Sequence, residues 1–406
     1  MNSINLGGFM KLQRLGVGLL GVSLAFFGSI APAQAAGSIT VWVNSGEEAA
    51  YKAASADWAA KNHVTVNVVA KCGLGDCGLS KLGPAGVGPD LFTATHDNTG
   101  ALVKSGVVTS LSSTINKSAY PSAVLSGITF NYQQYGVPIS VSNIALATNL
   151  ALVPSGAPKS WKELETTATS LIASNKATVG IVTHLDGYFL QPFFDSVGGY
   201  VFSNKNGAYT NTKQVGLYSK TLAKNSALMD KWLNEKLFDK SNTYDGSAFS
   251  NGKAPYAVVG PWSIDGLDKA GIKYQISGIP SINGGTARAF SGVTAVYLNR
   301  FSTKKFLAKQ YLTEVVQTSA FSKAISSANN TYPANLEAAA AIDKDSVVAK
   351  FGAYGAVCIP MPNVAEMGKV WTYWNNAFAD WASGKSKFGA AMQTAAKDLN
   401  NSLGNS

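Results

Sequence analysis

The chain has 406 residues, of which 14% are charged and 46% are apolar, and its formal net charge is +10. This length predicts two or three domains, and the low charge with a high apolar content is typical of a compact globular protein and excludes a disordered chain. The lysines stand singly, with Lys304-Lys305 as the only adjacent pair, whereas nucleic-acid binding needs a clustered basic stripe. We therefore expect no nucleic-acid partner.

Residues 1–36 have the three parts of a secretory signal peptide. Lys11 and Arg14 are its basic residues, residues 15–30 form its apolar stretch, and Ala-Gln-Ala at 33–35 is a small-x-small cleavage site. No later segment has 18 consecutive apolar residues, so we predict no transmembrane helix. No cysteine follows the apolar stretch to carry a lipid anchor, so we expect a periplasmic protein without an anchor.

The chain has three cysteines. Cys72 and Cys77 are separated by a flexible Gly-Leu-Gly-Asp spacer, and in an oxidising periplasm two such thiols can form a small disulfide loop. A metal site is the alternative for this pair, but it lacks a second pair of ligands. We therefore predict a disulfide between Cys72 and Cys77, an unpaired and buried Cys358, and no metal.

The sequence after residue 36 begins with a strand, a helix and a strand. Residues 39–43 and 64–69 are typical of strands, and Ser45-x-x-Glu48 between them matches a capping box that opens a helix, an order that predicts parallel pairing. Further strands are predicted at residues 89–92, 135–148, 178–183, 256–259, 274–279 and 292–299. Further helices are predicted after a second capping box, Ser160-x-x-Glu163, within residues 213–237 and from residue 304 onward. The pattern predicts two α/β blocks followed by a helical segment.

Residues 249–262 place a large aromatic side chain at the end of a strand. Asn251-Gly252 is a turn signal, residues 256–259 are typical of a short buried strand, and Gly260-Pro261 ends that strand before Trp262. In open α/β sheets, ligands bind outside the carboxyl ends of the strands. Trp262 is therefore either a platform for the apolar face of a ligand or a core residue beside a turn.

Motifs that would indicate catalysis or a cofactor are weak. Residues 73–78 match G-x-G-x-x-G, but Gly83-Pro84 interrupts the helix that a dinucleotide fingerprint requires. The three histidines are not at metal-ligand spacing, and His96 is predicted to be structural. Asp97 and Asp186 could be the two facing carboxylates of a glycosidase, and this alternative stays open. We predict a protein without a cofactor and without enzymatic activity.

The stretch 249–262 resembles a signature of a known family, with the pattern F-x-x-G-x-x-x-x-x-x-x-G-P-W. This family is the carbohydrate-binding solute-binding proteins of bacterial ABC importers, which includes maltose-binding protein. The resemblance continues in family order over nearly the whole mature chain, at Gly88-Pro89-Asp90, His96-Asp97, Ser105-Gly106, residues 135–138, Gly198-Gly199-Tyr200 and Met361-Pro362-Asn363, with Met367 and Trp371.

The resemblance implies a two-lobed periplasmic-binding-protein fold of type II, in which each lobe is a mainly parallel sheet flanked by helices and the ligand cleft lies at the hinge. It implies an N-lobe from residues 37–140 plus 296–335 and a C-lobe from residues 145–290 plus 340–406. The backbone is then expected to cross between the lobes near residues 140–144, 292–296 and 333–337. The lobes close on the ligand by hinge bending.

The resemblance also implies where a sugar would bind. A sugar site needs aromatic faces against C–H groups and charged or amide side chains for the hydroxyls. Trp262 and Trp371 occupy the two positions that stack on sugar in the family, and Tyr188 is the aromatic residue of the C-lobe. Asp97 occupies the acidic position of the N-lobe, and Asp186 lies on or next to that of the C-lobe.

Several positions depart from maltose-binding protein, and its charged or aromatic residues are replaced here by Ala94, Asn98, Ser142, Asn375 and, roughly, Gly46-Glu47. Glu47, Asn98, Ser142 and Asn375 remain candidate ligand contacts, and Glu48 is either an acceptor or a helix cap. Each lost charged hydrogen bond costs about 1.5–3 kcal/mol unless it is replaced. The expected ligand is therefore a maltose-like oligosaccharide, with another disaccharide, a smaller sugar or a polyol as alternatives.

The implied function is capture of a sugar by a monomeric periplasmic protein, which delivers the sugar to the membrane permease of an ABC importer. Two alternatives stay open. The same scaffold could bind a polyamine or ferric iron, although the chain has few acidic residues to spare and no Tyr-Tyr pair. The protein could instead be a periplasmic carbohydrate-active enzyme.

Overall fold

The structure, a computed structural model, describes residues 37–72, 75, 77–205, 208–240, 247–282, 284–285 and 287–404. The predicted signal peptide at residues 1–36 and part of the 73–78 motif lie outside the described residues. The described residues form a mixed α/β structure. None of the helices in these ranges is both long enough and apolar enough to cross a membrane.

The strands are numbered in chain order. They are β1 (Ser38–Asn44), β2 (Thr65–Cys72), β3 (Leu91–Thr95), β4 (Thr129–Phe130), β5 (Gln133–Gln134), β6 (Gly136–Asn143), β7 (Ala145–Asn149), β8 (Ile181–Val182), β9 (Phe202–Lys205), β10 (Ala208–Val215), β11 (Tyr256–Val259), β12 (Tyr274–Ser277), β13 (Phe290–Leu298), β14 (Tyr332–Pro333) and β15 (Ile359–Pro360).

The α-helices are α1 (Glu48–Lys61), α2 (Leu79–Leu82), α3 (Thr99–Lys104), α4 (Ser122–Gly127), α5 (Trp161–Ala173), α6 (Gln191–Ser196), α7 (Lys220–Asn225), α8 (Ala227–Asn234), α9 (Ser247–Ser250), α10 (Ile264–Lys269), α11 (Lys305–Tyr311), α12 (Ser319–Asn329), α13 (Leu336–Ala340), α14 (Val347–Gly355), α15 (Met367–Ala382) and α16 (Phe388–Leu403). Short 3₁₀ turns lie at Gly83–Ala85, His96–Asn98, Lys117–Ala119 and Pro261–Ser263, and a π-helical turn follows α11 at Leu312–Val316.

Two larger sheets organise these elements. The first has seven strands in the order β14-β6-β13-β3-β1-β2, with β15 paired to β13, and the second has four strands in the order β12-β7-β11-β8. The run predicted as one strand at 135–148 is divided at Ile144 into β6 and β7, which belong to different sheets. The chain therefore passes from one sheet to the other without an intervening helix.

The expectation of mainly parallel sheets is wrong. β1 is parallel to β2 and β3, as the β-α-β pattern predicts, but β13 is antiparallel to both β3 and β6. In the second sheet β7 is antiparallel to β11 and β12. Strands joined by a crossover connection pair in parallel, as β1 and β2 do. The pairings of β13 with β3 and β6, and of β7 with β11 and β12, join strands that are distant in sequence, and these pairings are antiparallel.

The two predicted capping boxes have different outcomes. The second is confirmed at its N-cap, because the Ser160 hydroxyl accepts a hydrogen bond from the Glu163 amide at 3.2 Å. The first is wrong, because the cap position of α1 is Glu47 and no side chain caps the helix. The Glu48 carboxylate instead accepts a hydrogen bond from the Gly46 amide at 2.8 Å.

The buried apolar residues form two separate clusters, here called the first core and the second core. The first core packs the seven-stranded sheet against α1 and α12 and draws on two segments of chain, 39–139 and 293–334. The second core packs the four-stranded sheet against α5, α8, α15 and α16 and draws on segments 144–290 and 351–399. Each core is thus assembled from two distant parts of the chain.

Candidate ligand-binding cavity

A cavity of about 580 Å³ is lined by elements that pack on both cores. The lining residues combine aromatic rings, carboxylates, amides and hydroxyls: Asn44, Ser45, Glu47, Thr95, Asp97, Ser140, Ser142, Tyr188, Trp262, Gly292, Thr294, Asn329, Thr331, Met361 and Trp371. Six of the predicted site residues are among them, namely Glu47, Asp97, Ser142, Tyr188, Trp262 and Trp371.

Trp262 presents a half-exposed ring to the cavity. It lies in the 3₁₀ turn that directly follows β11, and 51% of the residue is exposed. Position 260 must be glycine for this ring position, because a Cβ there would lie 2.2 Å from the Trp262 ring. The alternative that Trp262 is a core residue beside a turn is therefore wrong.

Two further aromatic residues continue this wall. The Tyr188 ring lies 6.4 Å from the Trp262 ring, centroid to centroid, at an interplanar angle of 36°. The Trp371 ring stacks on Trp374 at 5.9 Å and 21°. Trp374 is fully buried in the second core, whereas Trp371 lines the cavity. The tryptophan-rich helix α15 therefore supplies one core residue and one residue of the cavity wall, which helical spacing alone could not distinguish.

Asp186 and Asn375 are outside the lining of the cavity and hold the loop that carries Tyr188. The Asp186 carboxylate accepts hydrogen bonds from the amides of Tyr188 and Phe189, both at 2.9 Å. The Asn375 side-chain oxygen accepts a hydrogen bond from the Gly187 amide at 2.9 Å. These contacts fix the backbone just before Tyr188 and so orient its ring.

The Asp97 carboxylate joins the polar side of the cavity to the aromatic side. Its Oδ2 accepts a hydrogen bond from the Trp371 indole Nε1 at 3.1 Å. Its Oδ1 accepts one from the Asn98 side-chain amide at 3.2 Å, and Asn98 also donates to Thr95. Asn98 is outside the cavity lining, and its side-chain amide contacts Asp97 and Thr95, which both line the cavity.

Glu47 lies at the end of the cavity next to α1 and is only 6% exposed. Its Oε1 accepts hydrogen bonds from the side-chain amides of Asn44 and Asn329, at 3.2 and 3.1 Å. Its Oε2 is buried and has no hydrogen-bond partner in the described structure. Burial raises the pKa of the Glu47 carboxyl above its usual value, because the charged form loses its hydration, although the amide hydrogen bonds act in the opposite direction.

The floor of the cavity is formed by neutral strand residues, several of which sequence reasoning missed. Ser140 and Ser142 are two residues apart on β6, and Gly292 and Thr294 are two residues apart on the neighbouring β13. Residues at this spacing point to the same face of a strand, and Gly292 pairs directly with Ser142. The alternation of small polar residues was a usable signal, but nothing in the sequence shows which face borders a cavity.

His96 is a structural residue behind the cavity, as predicted. Its Nε2 is 3.0 Å from the carbonyl oxygen of Met361, and its Nδ1 accepts a hydrogen bond from the Val293 amide at 2.9 Å. The ring must therefore be neutral with its proton on Nε2. Burial lowers the pKa of His96, because the imidazolium would lose its hydration there.

Cys77 and Cys358 are not among the residues that line the cavity. Cys77 is disulfide-bonded, and the side chain of its predicted partner, Cys72, lies outside the described residues, so the pairing stays a prediction. Cys358 is a free thiol, as predicted, but it is half-buried and not fully buried, and burial raises its pKa to about 12. Over the part of the chain that the structure describes, no group of three or more His, Cys, Asp or Glu side chains could hold a metal ion.

A mixed α/β fold with a cavity lined by aromatic and polar side chains is consistent with a solute-binding protein. Residues 52–353, about three quarters of the chain, match the family described as bacterial extracellular solute-binding protein. The chain therefore belongs to the bacterial extracellular solute-binding protein family.

Several curated relatives are similar over most of the chain. The galactooligosaccharide-binding protein of Bacillus subtilis (strain 168) is 28% identical over 385 residues, covering 88% of this chain and 88% of the relative. The maltodextrin-binding protein MdxE of the same organism is 29% identical over 357 residues, covering 84% and 83%. The maltotriose-binding protein of Pyrococcus abyssi is 26% identical over 299 residues, covering 71% and 64%. All three are named as binding proteins.

Proposed function

We propose that this chain is a periplasmic carbohydrate-binding protein that captures an oligosaccharide of the maltodextrin or galacto-oligosaccharide type and delivers it to the permease of an ABC importer. The observation that carries the proposal is the chemistry of the cavity. Trp262, Tyr188 and Trp371 offer aromatic faces to the C–H groups of sugar rings, whereas Asp97 and Glu47 offer acceptors to hydroxyls. The names of the relatives support a sugar as the ligand.

The proposed architecture is the two-lobed type II fold. The first core draws on residues 39–139 and 293–334, which supports an N-lobe of residues 37–140 plus 296–335. The second core draws on residues 144–290 and 351–399, which supports a C-lobe of residues 145–290 plus 340–406. A ligand that touches elements of both cores binds better when they are close, so it shifts the population toward a closed state.

The proposed partner and location follow from the same comparison and from the sequence. A relative in Streptococcus pneumoniae is named as a maltooligosaccharide ABC transporter solute-binding lipoprotein, which supports a permease as the partner. The signal-peptide pattern of residues 1–36 supports export to the periplasm. We propose that the exported protein acts as a monomer, because one chain supplies both walls of the cavity.

The glycosidase alternative has less support. Its candidate carboxylates are Asp97 and Asp186, but Asp186 is outside the cavity lining and its Oδ1 is occupied by two backbone amides. A glycosidase needs two carboxyl groups that face one scissile bond. We therefore propose binding without catalysis.

The test is a titration of the mature protein with maltotriose, galactobiose, sorbitol and spermidine, by calorimetry and by thermal unfolding. A ligand present at 100 times its dissociation constant adds about 2.7 kcal/mol to the free energy of unfolding. A shift with either oligosaccharide supports the proposal. A shift with spermidine alone, with sorbitol alone, or with none of the four would contradict it, and chromatography that detects cleaved sugar would contradict the absence of catalysis.

A further inference from the structure

The described residues that line the cavity include two carboxylates, Glu47 and Asp97, and no lysine, arginine or histidine. The two carboxylates differ in how they are satisfied. Both oxygens of Asp97 accept hydrogen bonds from protein donors, Oδ2 from Trp371 and Oδ1 from Asn98. Glu47 Oε1 accepts hydrogen bonds from two side-chain amides, whereas Oε2 has no hydrogen-bond partner among the described residues.

A second unpartnered polar atom among the described residues lies in the lining of the cavity. Thr331, which is 9% exposed, lines the cavity, and its Oγ1 is buried without a hydrogen-bond partner in the described structure. Asn329, two residues earlier, donates to Glu47 and lines the cavity as well. Glu47 and Thr331 therefore contribute polar atoms to the cavity lining that a bound ligand can satisfy.

The described groups that act on Glu47 do not neutralise its negative charge. The charged neighbour that acts on Glu47 is the carboxylate of Glu48, whereas the phenol of Tyr51, on which Glu47 acts, is uncharged at neutral pH. Neither is a cation, and the hydroxyl of Tyr51 is buried with no hydrogen-bond partner in the part of the chain that the structure describes. A buried carboxylate in such surroundings is stabilised by a cationic donor more than by a neutral one, because the cation adds a Coulombic attraction to the hydrogen bond, and this attraction is stronger inside a protein than in water.

We infer that Glu47 selects the ligand by charge: its Oε2 receives a donor of the sugar, and the cavity favours a carbohydrate with an amino group over a neutral sugar of the same shape and rejects one with a carboxylate. This inference rests on the proposed function, because it names the class of carbohydrate for the same cavity. The raised pKa of Glu47 agrees with it, since a ligand ammonium group would offset the cost of burying the charge.

The test compares three monosaccharides that share a pyranose ring and differ in charge: glucosamine, glucose and glucuronate. Their dissociation constants are measured directly at neutral pH with the mature protein, by calorimetry at high sugar concentration. We expect glucosamine to bind about tenfold more tightly than glucose, which equals about 1.4 kcal/mol, and glucuronate to bind more weakly than glucose. In Glu47→Gln the advantage of glucosamine should fall to about twofold or less.

Glu48→Gln is the matched control, because it removes an adjacent carboxylate that is outside the cavity lining. This variant should keep the wild-type order of the three sugars. If Glu47→Gln does not fold, as judged by circular dichroism, the order measured on the wild type decides alone.

The inference is overturned if glucose or glucuronate binds the wild type as tightly as glucosamine, if glucosamine does not bind, or if Glu47→Gln keeps the wild-type order. Maltotriose is measured in parallel to separate the two claims. Binding of maltotriose with no preference for glucosamine overturns the inference and leaves the proposed function standing. Binding of glucosamine without any oligosaccharide overturns the proposed function and leaves the charge selection by Glu47 standing.

Discussion

Replacement of Trp262 by alanine should separate ligand binding from stability. The Trp262 ring is half exposed, and its ring contacts in the protein are with Tyr188 and Phe189, both at 6.4 Å between centroids. Aromatic pairs contribute about 0.5–1.5 kcal/mol each when they are well packed. Because these contacts are long and the ring is half exposed, we expect Trp262→Ala to lower the free energy of unfolding by about 1 kcal/mol or less.

The effect on ligand affinity should be larger. Truncation of an aromatic residue that packs on a ligand costs about 1–3 kcal/mol of binding free energy. This loss corresponds to a dissociation constant that is roughly 5- to 150-fold larger. Calorimetry with the best sugar of the panel measures this loss, and urea unfolding without sugar measures stability. The expected result is a large loss of affinity with a small change in stability.

Trp374→Ala is the matched control for Trp262→Ala. It is also a tryptophan-to-alanine substitution, but Trp374 lies in α15 and is fully buried. Truncation of a buried Phe or Trp to alanine costs about 3–5 kcal/mol of stability, so this variant should lose stability first. The reasoning is refuted if Trp262→Ala binds the sugar as tightly as the wild type, or if it loses as much stability as Trp374→Ala.

Three further predictions concern neighbouring features. Gly260→Ala should weaken sugar binding about as much as Trp262→Ala, because the new Cβ would lie 2.2 Å from the Trp262 ring. Gly266→Ala is the control, because nothing lies within 4 Å of a Cβ at that position. Equal sugar affinity of the Gly260→Ala and Gly266→Ala variants would contradict the reasoning. The pKa of His96 is lower in the folded state than in the unfolded state, where it is about 6.5. The contribution of the neutral His96 side chain to the free energy of unfolding is therefore fully present above about pH 6.5 and is lost as the pH falls through the lower pKa of the folded state. Measured by urea unfolding between neutral and acidic pH, the free energy of unfolding should fall less steeply with decreasing pH for His96→Gln than for the wild type. Equal dependence on pH in the two proteins would refute this prediction. Cys77→Ser should lower the melting temperature, since a short disulfide loop stabilises by about 2 kcal/mol, but should leave sugar affinity unchanged; an unchanged melting temperature would contradict it.

Local sequence patterns were sufficient where a few adjacent residues decide the conformation. The strand at 256–259 is confirmed as β11, and Gly252 has the positive φ of +67° that the turn signal predicted. Ser160 caps α5 because the donor is only three residues away. The capping box predicted at Ser45 is wrong, because no side chain caps α1 and the Glu48 carboxylate instead accepts a hydrogen bond from the Gly46 amide.

The direction of strand pairing could not be read from local patterns. Residues 292–299 were predicted as a strand, and β13 covers most of them. Its neighbours β3 and β6 lie far away in the sequence, and both run antiparallel to it. The alternation of side chains along a strand is the same in parallel and antiparallel sheets, so the expectation of mainly parallel sheets rested on the β-α-β start and on the family resemblance.

By itself, the sequence determined the residue types of the site and their order along the chain: Trp262 after a strand, Trp371 in a helix, and Asp97 after β3. Only the tertiary structure decided which candidates share the cavity. It brings Glu47 within hydrogen-bond distance of Asn329, 282 residues away, and Trp371 within reach of Asp97, 274 residues away. Burial and hydrogen bonding depend on such distant neighbours, which is why Glu47 and Glu48, adjacent and chemically identical in the sequence, have different roles in the fold.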